Sequence, residues 1–515
     1  MRIQKNLPPL LAVSALALML SACVGSDNNP AASAPAPKNV IFFLGDGMGM
    51  TTLTAARIYA VGEEGDLTID TLPETAFVRT FSEDAQVTDS APSMAAYMTG
   101  VKMRNDVISM QTGTVASAPS ATATSTCDSV PENAGKQPVE TLLELAKARG
   151  MGTGVVTTTR ITHATPATTY AHVCHRDAEN DIAAQMVPGG SGTGYGAFNA
   201  RLKDGIDVVL GGGLSYFKTT ANGGKRADGR DLVNEMKAKG YTYVSKGSEL
   251  GLVVPAADSK LLGLFGNSHM SYDLDRTGKN LDEPSLSDMT AKAIDVLKAK
   301  NKNYFLMVEG GRIDHALHDT NAKRALQDTK AFDDAIRTAL DKVDLSNTLI
   351  VVTADHDHTL VLNGYARRTG KYVKGVETSV LGLVKNYNAP GFAKDANNNP
   401  YPIIGFGNGK KRPESNRGDD RVTALTDSDS CNAVAGPAAP AGKTYSNTYG
   451  GTFWCTGAAS DDFQQEAVIQ TGYADNETHG GTDVFLGAAG VGADNFHGNV
   501  ENIEVFGLVR KAIGL

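Results

Sequence analysis

Five short apolar runs constrain this chain most, and three of them lead within a few residues to a carboxylate. Val40-Ile41-Phe42-Phe43-Leu44 leads into Gly45-Asp46-Gly47, Tyr304-Phe305-Leu306-Met307-Val308 into Glu309-Gly310-Gly311, and Leu349-Ile350-Val351-Val352 into Thr353-Ala354-Asp355-His356. Gly154-Val155-Val156-Thr157-Thr158 and Val208-Val209-Leu210 are runs of the same kind. Such runs fit parallel strands buried on both faces. Helical patterns lie between them, as at residues 140–149 and 289–300. The alternation predicts a doubly wound α/β fold: a mostly parallel central sheet flanked by helices. In such sheets the site lies beyond the carboxyl ends of the strands. Asp46, Glu309 and Asp355 are therefore expected on one rim, where their mutual repulsion calls for cations.

The histidines strengthen this expectation. Of ten in the chain, His163, His315, His318, His356, His358 and His479 lie in or beside these segments. Asp314 and His318 are four apart, on one face of a helix, which suits a shared cation. Imidazole with carboxylate is a zinc-type set, whereas carboxylate with threonine and water suits magnesium. In Thr88-Asp89-Ser90-Ala91-Pro92 a turn leads into a helix with proline in its first turn. Ser90 at that N-terminus would face free N–H groups and the positive end of the helix dipole, as a phosphate-reactive hydroxyl requires. The plainer alternative is that Ser90 or Asp89 merely caps the helix.

The net charge of −9, with no long basic run, argues against nucleic acid as a partner. Arg2 and Lys5 precede an apolar stretch at residues 7–20, too short to span a bilayer and closed by Ser21-Ala22-Cys23. Residues 1–22 are thus expected to be an export signal. Leu20-Ser21-Ala22-Cys23 resembles a bacterial lipobox, with Cys23 the lipidated residue and residues 23–37 a flexible tether; the alternative is an ordinary signal cut after Ala22. The expected location is the periplasm or outer membrane, with membrane contact only through the lipid. Cys127, Cys174, Cys431 and Cys455 remain, an even number that favours two disulfides in an oxidising compartment. Three connectivities exist, and the preferred one joins nearest neighbours, Cys127–Cys174 and Cys431–Cys455. A zinc-thiolate site is the weaker reading, since no C-x-x-C spacing occurs.

These segments, in this order, resemble the alkaline phosphatase family. The likeness rests on Phe43-Leu44-Gly45-Asp46-Gly47-Met48-Gly49, Thr88-Asp89-Ser90-Ala91, Thr162-His163-Ala164-Thr165-Pro166 with Arg176, Val308-Glu309-Gly310-Gly311-Arg312-Ile313-Asp314-His315, and Glu477-Thr478-His479-Gly480-Gly481. It implies one catalytic domain over residues 38–515, hydrolysing small phosphate monoesters through a phosphoserine on Ser90. It implies two zinc ions and one magnesium. Asp314, His318 and His479 would hold the first zinc, and Asp46, Asp355 and His356 the second. Asp46, Thr165 and Glu309 would hold magnesium, with His163 and His315, as in the animal-type enzymes, behind that pocket. Arg176, oriented by Asp89, would clamp the phosphate. Activity should rise toward alkaline pH, and the family admits a homodimer. Gly266 stands where the animal enzymes place a calcium-binding acid, which puts that additional site in doubt. Residues 363–473, carrying Cys431 and Cys455, resemble the family's variable crown insertion. Two other readings are a sulfatase or phosphodiesterase of the same superfamily and a metal-binding surface lipoprotein without catalysis. Met94 where sulfatases carry arginine weighs against the first, and an intact Ser90 and Arg176 against the second.

Overall fold

The computed structural model describes residues 39–190, 198–373, 379–394, 401–410, 465, 467–471, 476–512 and 514. All of these lie in the compact unit Ala36–Leu515. Cys23, Cys431, Cys455, the signal and most of the crown-like insertion fall outside the described residues.

The apolar runs are strands, slightly longer than their sequence cores: β1 (Asn39–Gly45), β3 (Gly152–Arg160), β4 (Val208–Gly212), β7 (Tyr304–Gly310) and β8 (Thr348–Ala354). They are joined by β2 (Glu74–Arg79), β5 (Tyr241–Val244), β6 (Lys260–Leu264), β14 (Val484–Gly490) and β15 (Gly498–Glu501) in one sheet of order β15-β2-β14-β8-β1-β7-β3-β4-β6-β5. Every neighbouring pair is parallel except the two that β14 makes, with β8 and with β2, so β14 alone runs against the rest. Every residue of β7 and β8 is buried. That is why their sequences are apolar throughout rather than alternating.

Helices form where capping chemistry starts them. Leu142–Ala148 opens with a capping box between Thr141 and Glu144, and Leu286–Ala299 with one between Ser285 and Asp288. These are the two helical patterns read from the sequence. A smaller sheet joins β10 (Leu360–Leu362), β11 (Ile404–Lys410) and β12 (Ala467–Thr471). A two-residue ladder pairs β9 (Asp357–His358) with β13 (His479–Gly480), setting His358 opposite His479. Cys127 and Cys174 form a disulfide, as the nearest-neighbour pairing expects.

Candidate active site

Register gathers the carboxylates. Gly45 at the end of β1 is level with Gly310 of β7 and Ala354 of β8, so Asp46 and Asp355 emerge at the same height. Glu309 sits one step back, opposite Leu44 and Thr157. Asp46, Glu309 and Asp355 have no solvent exposure. Gly47 turns the chain at φ +66, and a Cβ there would come within 2.5 Å of the His358 ring. Only glycine meets both demands. Its N–H donates to Asp355 Oδ1 at 3.0 Å.

Three groups of ligand-type atoms converge on this rim. In the first, Asp314 Oδ1 lies 3.2 Å from His318 Nε2, 2.8 Å from His358 Nε2 and 3.6 Å from His479 Nε2. Burial by itself would raise the Asp314 carboxyl, but these imidazoles outweigh it and hold it well below the carboxylate range. In the second, His356 Nε2 lies 3.4 Å from Asp46 Oδ1 and 3.6 Å from Asp355 Oδ2. In the third, Asp46 meets Glu309 and His163, with Thr165 on the helical turn Ala164–Ala167. Both Asp46 oxygens, Asp355 Oδ2, Glu309 Oε1 and Thr165 Oγ1 are buried without a hydrogen-bond partner. Burial, reinforced by neighbouring carboxylates, pushes Asp355 up to about 7 and Glu309 to about 8, and raises Asp46 well above its ordinary value. Orphaned buried acceptors of one sign are costly unless a cation shares them. The second and third groups therefore fit metal ions by their chemistry, and the imidazole-rich first group fits zinc.

The remaining residues sit at the mouth. Ser90 begins the helix Ser90–Thr99, whose cap is Asp89, accepting from the Ala91 N–H at 3.2 Å. Capping thus belongs to Asp89 and leaves the Ser90 hydroxyl free to face His356 Nε2 at 3.1 Å. Ser93 Oγ and the Tyr97 hydroxyl donate to the Asp355 and Ala354 carbonyls, which fixes this helix on the end of β8. Arg176 pairs with Asp89 and donates to His163 Nε2 at 3.1 Å. Burial would raise Asp89, yet Arg176 and then His479 hold it below its ordinary value.

Three contributors carried no role in the sequence reading. His358 joins the first group, and Glu477 accepts from its Nδ1 at 2.5 Å. Burial lowers an imidazole, but Glu477 and Asp314 outweigh it and push His358 up to about 10. A signal existed: His356 and His358 are two apart in extended chain and so share a side. His269, in the loop after β6, packs edge-on against His163 and His315 with ring centres 5.2 and 4.2 Å away. Nothing local in the sequence marks it. Burial and Arg312 push His315 down to about 3. Gly266 uses its carbonyl to accept from the Gly213 and Leu214 N–H groups.

A family model described as alkaline phosphatase matches residues 37–515. The chain belongs to the alkaline phosphatase family. It is 38% identical over 396 residues to the human tissue-nonspecific alkaline phosphatase isozyme, covering 72% of this chain and 70% of that one. It is 33% identical over 485 residues to the Atlantic cod (Gadus morhua) alkaline phosphatase, covering 90% and 88%. The fold superposes on the Thermus thermophilus alkaline phosphatase with a TM-score of 0.62 at 24% identity, covering 93% and 92%. The enzyme from the Antarctic bacterium TAB5 gives 0.58 at 24%, covering 93% and 99%. Membership carries metal-dependent hydrolysis of phosphate monoesters through a phosphoserine, and this chain is a phosphatase of that kind.

Proposed function

We propose that Ser90 is the phosphate-accepting nucleophile, with Arg176 the phosphate clamp and Asp89 its orienting partner. Asp314, His318 and His479 are read as holding one zinc, Asp46, Asp355 and His356 a second, and Asp46, Thr165 and Glu309 a magnesium. When bound, the ions supply Lewis acidity that favours ionised hydroxyls and offsets phosphoryl charge. Ser90 Oγ forms a bond to phosphorus as the ester O–P bond breaks, and the alcohol departs with a proton from solvent. Water then attacks the phosphoserine, Ser90 recovers its proton and inorganic phosphate leaves. Arg176, its charge held by Asp89, orients two phosphoryl oxygens throughout. Because the serine must ionise, activity rises with pH. The observation that carries this reading is the free Ser90 hydroxyl beside His356 at the rim of partnerless buried carboxylates.

The wider setting is also a proposal. Export and a lipid anchor at Cys23 rest on residues 20–23 and on a family match that begins only at residue 37. Among the described residues no helix is long and apolar enough to cross a membrane. The second disulfide, Cys431–Cys455, the crown role of residues 363–473 and a homodimer rest on the resemblance and the cysteine count. Turnover of a chromogenic phosphate monoester, compared with its diester and sulfate analogues, tests the activity. Preference for either analogue would contradict it.

A further inference from the structure

The reaction centre opens to solvent through a cleft of about 560 Å³ whose walls include Val87, Asn105, Asp106, Arg176, Thr478 and His479. Ser90 is only 1% exposed, and its neighbour Asp89 and the clamp Arg176 line this cleft, so the alcohol half of a substrate is assigned to it. The charged groups there are unequal. Arg176 is neutralised by Asp89, which sits beneath it. Asp106 instead carries its side chain outward, 44% exposed.

Its backbone explains why it stays there. Asp106 adopts φ +70, a left-handed conformation that side chains tolerate poorly and that aspartate and asparagine tolerate best. Two bonds hold it: its N–H donates to Asp89 Oδ2 at 3.2 Å, and its carbonyl accepts from the Arg176 N–H at 2.8 Å. One peptide thereby ties together both halves of the Asp89–Arg176 pair, and the same residue sets a carboxylate on the cleft wall. His175 lies between Asp106, at 4.0 Å, and Asp177, at 3.8 Å, whose side chain is 65% exposed. Of the acids that line the cleft, Asp89, Asp106 and Glu477, only Asp106 is well exposed, and no lysine lines it among the described residues.

We propose that Asp106 selects the alcohol by charge, so that the cleft favours phosphate monoesters of cationic amino alcohols over those whose alcohol carries a further carboxylate or phosphate. This rests on the phosphatase reading. Its basis is a water-exposed carboxylate on a held backbone, on the wall of the cleft that Asp89 and Arg176 also line.

The test compares kcat/KM of the zinc- and magnesium-loaded enzyme for phosphoethanolamine, glycerol phosphate and 3-phosphoglycerate. Asp106→Asn keeps the left-handed backbone and the shape while removing the charge; Asp106→Gly keeps the backbone and removes the side chain. In both variants the ratio of phosphoethanolamine to phosphoglycerate should fall roughly tenfold, mainly through KM, the size expected in water for opposite ligand charges several ångströms from a carboxylate. The wild-type ratio should itself shrink as salt rises. An unchanged ratio in Asp106→Asn, with glycerol phosphate still hydrolysed, overturns charge selection, as does a fall confined to Asp106→Gly. Failure of the wild type to hydrolyse any of the three esters would overturn the phosphatase reading itself.

Discussion

Ser90 and Asp89 divide two tasks that either could have taken: Asp89 caps the helix, which leaves the Ser90 hydroxyl facing His356 for its proposed role as nucleophile. Ser90→Ala should therefore fold normally, bind metal and lose activity by roughly a thousandfold or more, as nucleophile removal does in serine enzymes. Activity assays beside thermal melts check both halves. If Arg176 is the proposed clamp, Arg176→Ala removes a charge-assisted contact with phosphate worth about 1.5–3 kcal/mol in all. It should raise KM, and weaken inhibition by inorganic phosphate, by roughly 10- to 100-fold. Equal phosphate inhibition in variant and wild type would remove Arg176 from the clamp. His163 is buried with its Nδ1 partnerless, and meets Asp46 and Glu309. Imidazole is a poor neighbour for hard magnesium, so His163→Asp should shift the magnesium activation curve to lower concentration. An unshifted curve would reduce His163 to packing.

At the scale of elements, the site depends on short segments anchored by single polar contacts. Glu144 shows how. It closes the capping box of the helix Leu142–Ala148 and accepts from His172 Nε2 at 2.7 Å, wholly buried. Burial alone would raise it, but His172, Asn199 and Thr141 outweigh that and lower it. A depressed carboxyl stabilises the fold above its ordinary value of 4.5 and loses that contribution as pH falls through its lower folded value. In metal-free protein, Glu144→Gln should be less stable at pH 7 by about 1–3 kcal/mol. The deficit should narrow below pH 4.5. Denaturant melts across that range decide it; a constant deficit would mean that ionisation of Glu144 contributes nothing. The elements also show what a linear reading can find. β1, β7 and β8 were legible because a strand buried on both faces has no polar side to disguise it. β2 alternates buried and exposed residues and β5 has only four, so neither stands out from loop. His356, His358 and His479 meet through a two-residue ladder 121 positions apart in the chain, and His269 and Asp106 matter only through neighbours that tertiary structure supplies. Asp46, Ser90, Glu309 and Asp355 were legible because each lies at an end of a regular element: Asp46 and Asp355 just after one, Ser90 at the start of one and Glu309 one residue before the end of β7.

Across the whole molecule, the sheet concentrates negative charge at one rim and leaves its balance to bound cations. In metal-free protein Asp355 and Glu309 titrate near 7 and 8, so these buried acids retain protons that metal would displace. A buried acid with a raised folded value favours the fold when protonated, and that advantage is lost as pH rises through the folded value. The metal-free enzyme should therefore lose thermal stability as pH rises from the ordinary values of 3.8 and 4.5 through the folded values of about 7 and 8, and level off above them, while the loaded enzyme holds its own. Chelation should abolish activity, zinc should restore it and magnesium should add to it. Parallel pH profiles for metal-free and loaded protein, or full activity after chelation, would contradict this picture.

The account centres on Ser90 as the atom that receives phosphate, and one measurement addresses that directly. The loaded enzyme is mixed with a phosphate-labelled monoester, quenched in acid and digested, and the labelled peptide is sequenced by mass spectrometry. A single phosphoserine at Ser90, absent from Ser90→Ala, is the predicted result. Label on any other residue, or no label in an enzyme that is turning over, would contradict it.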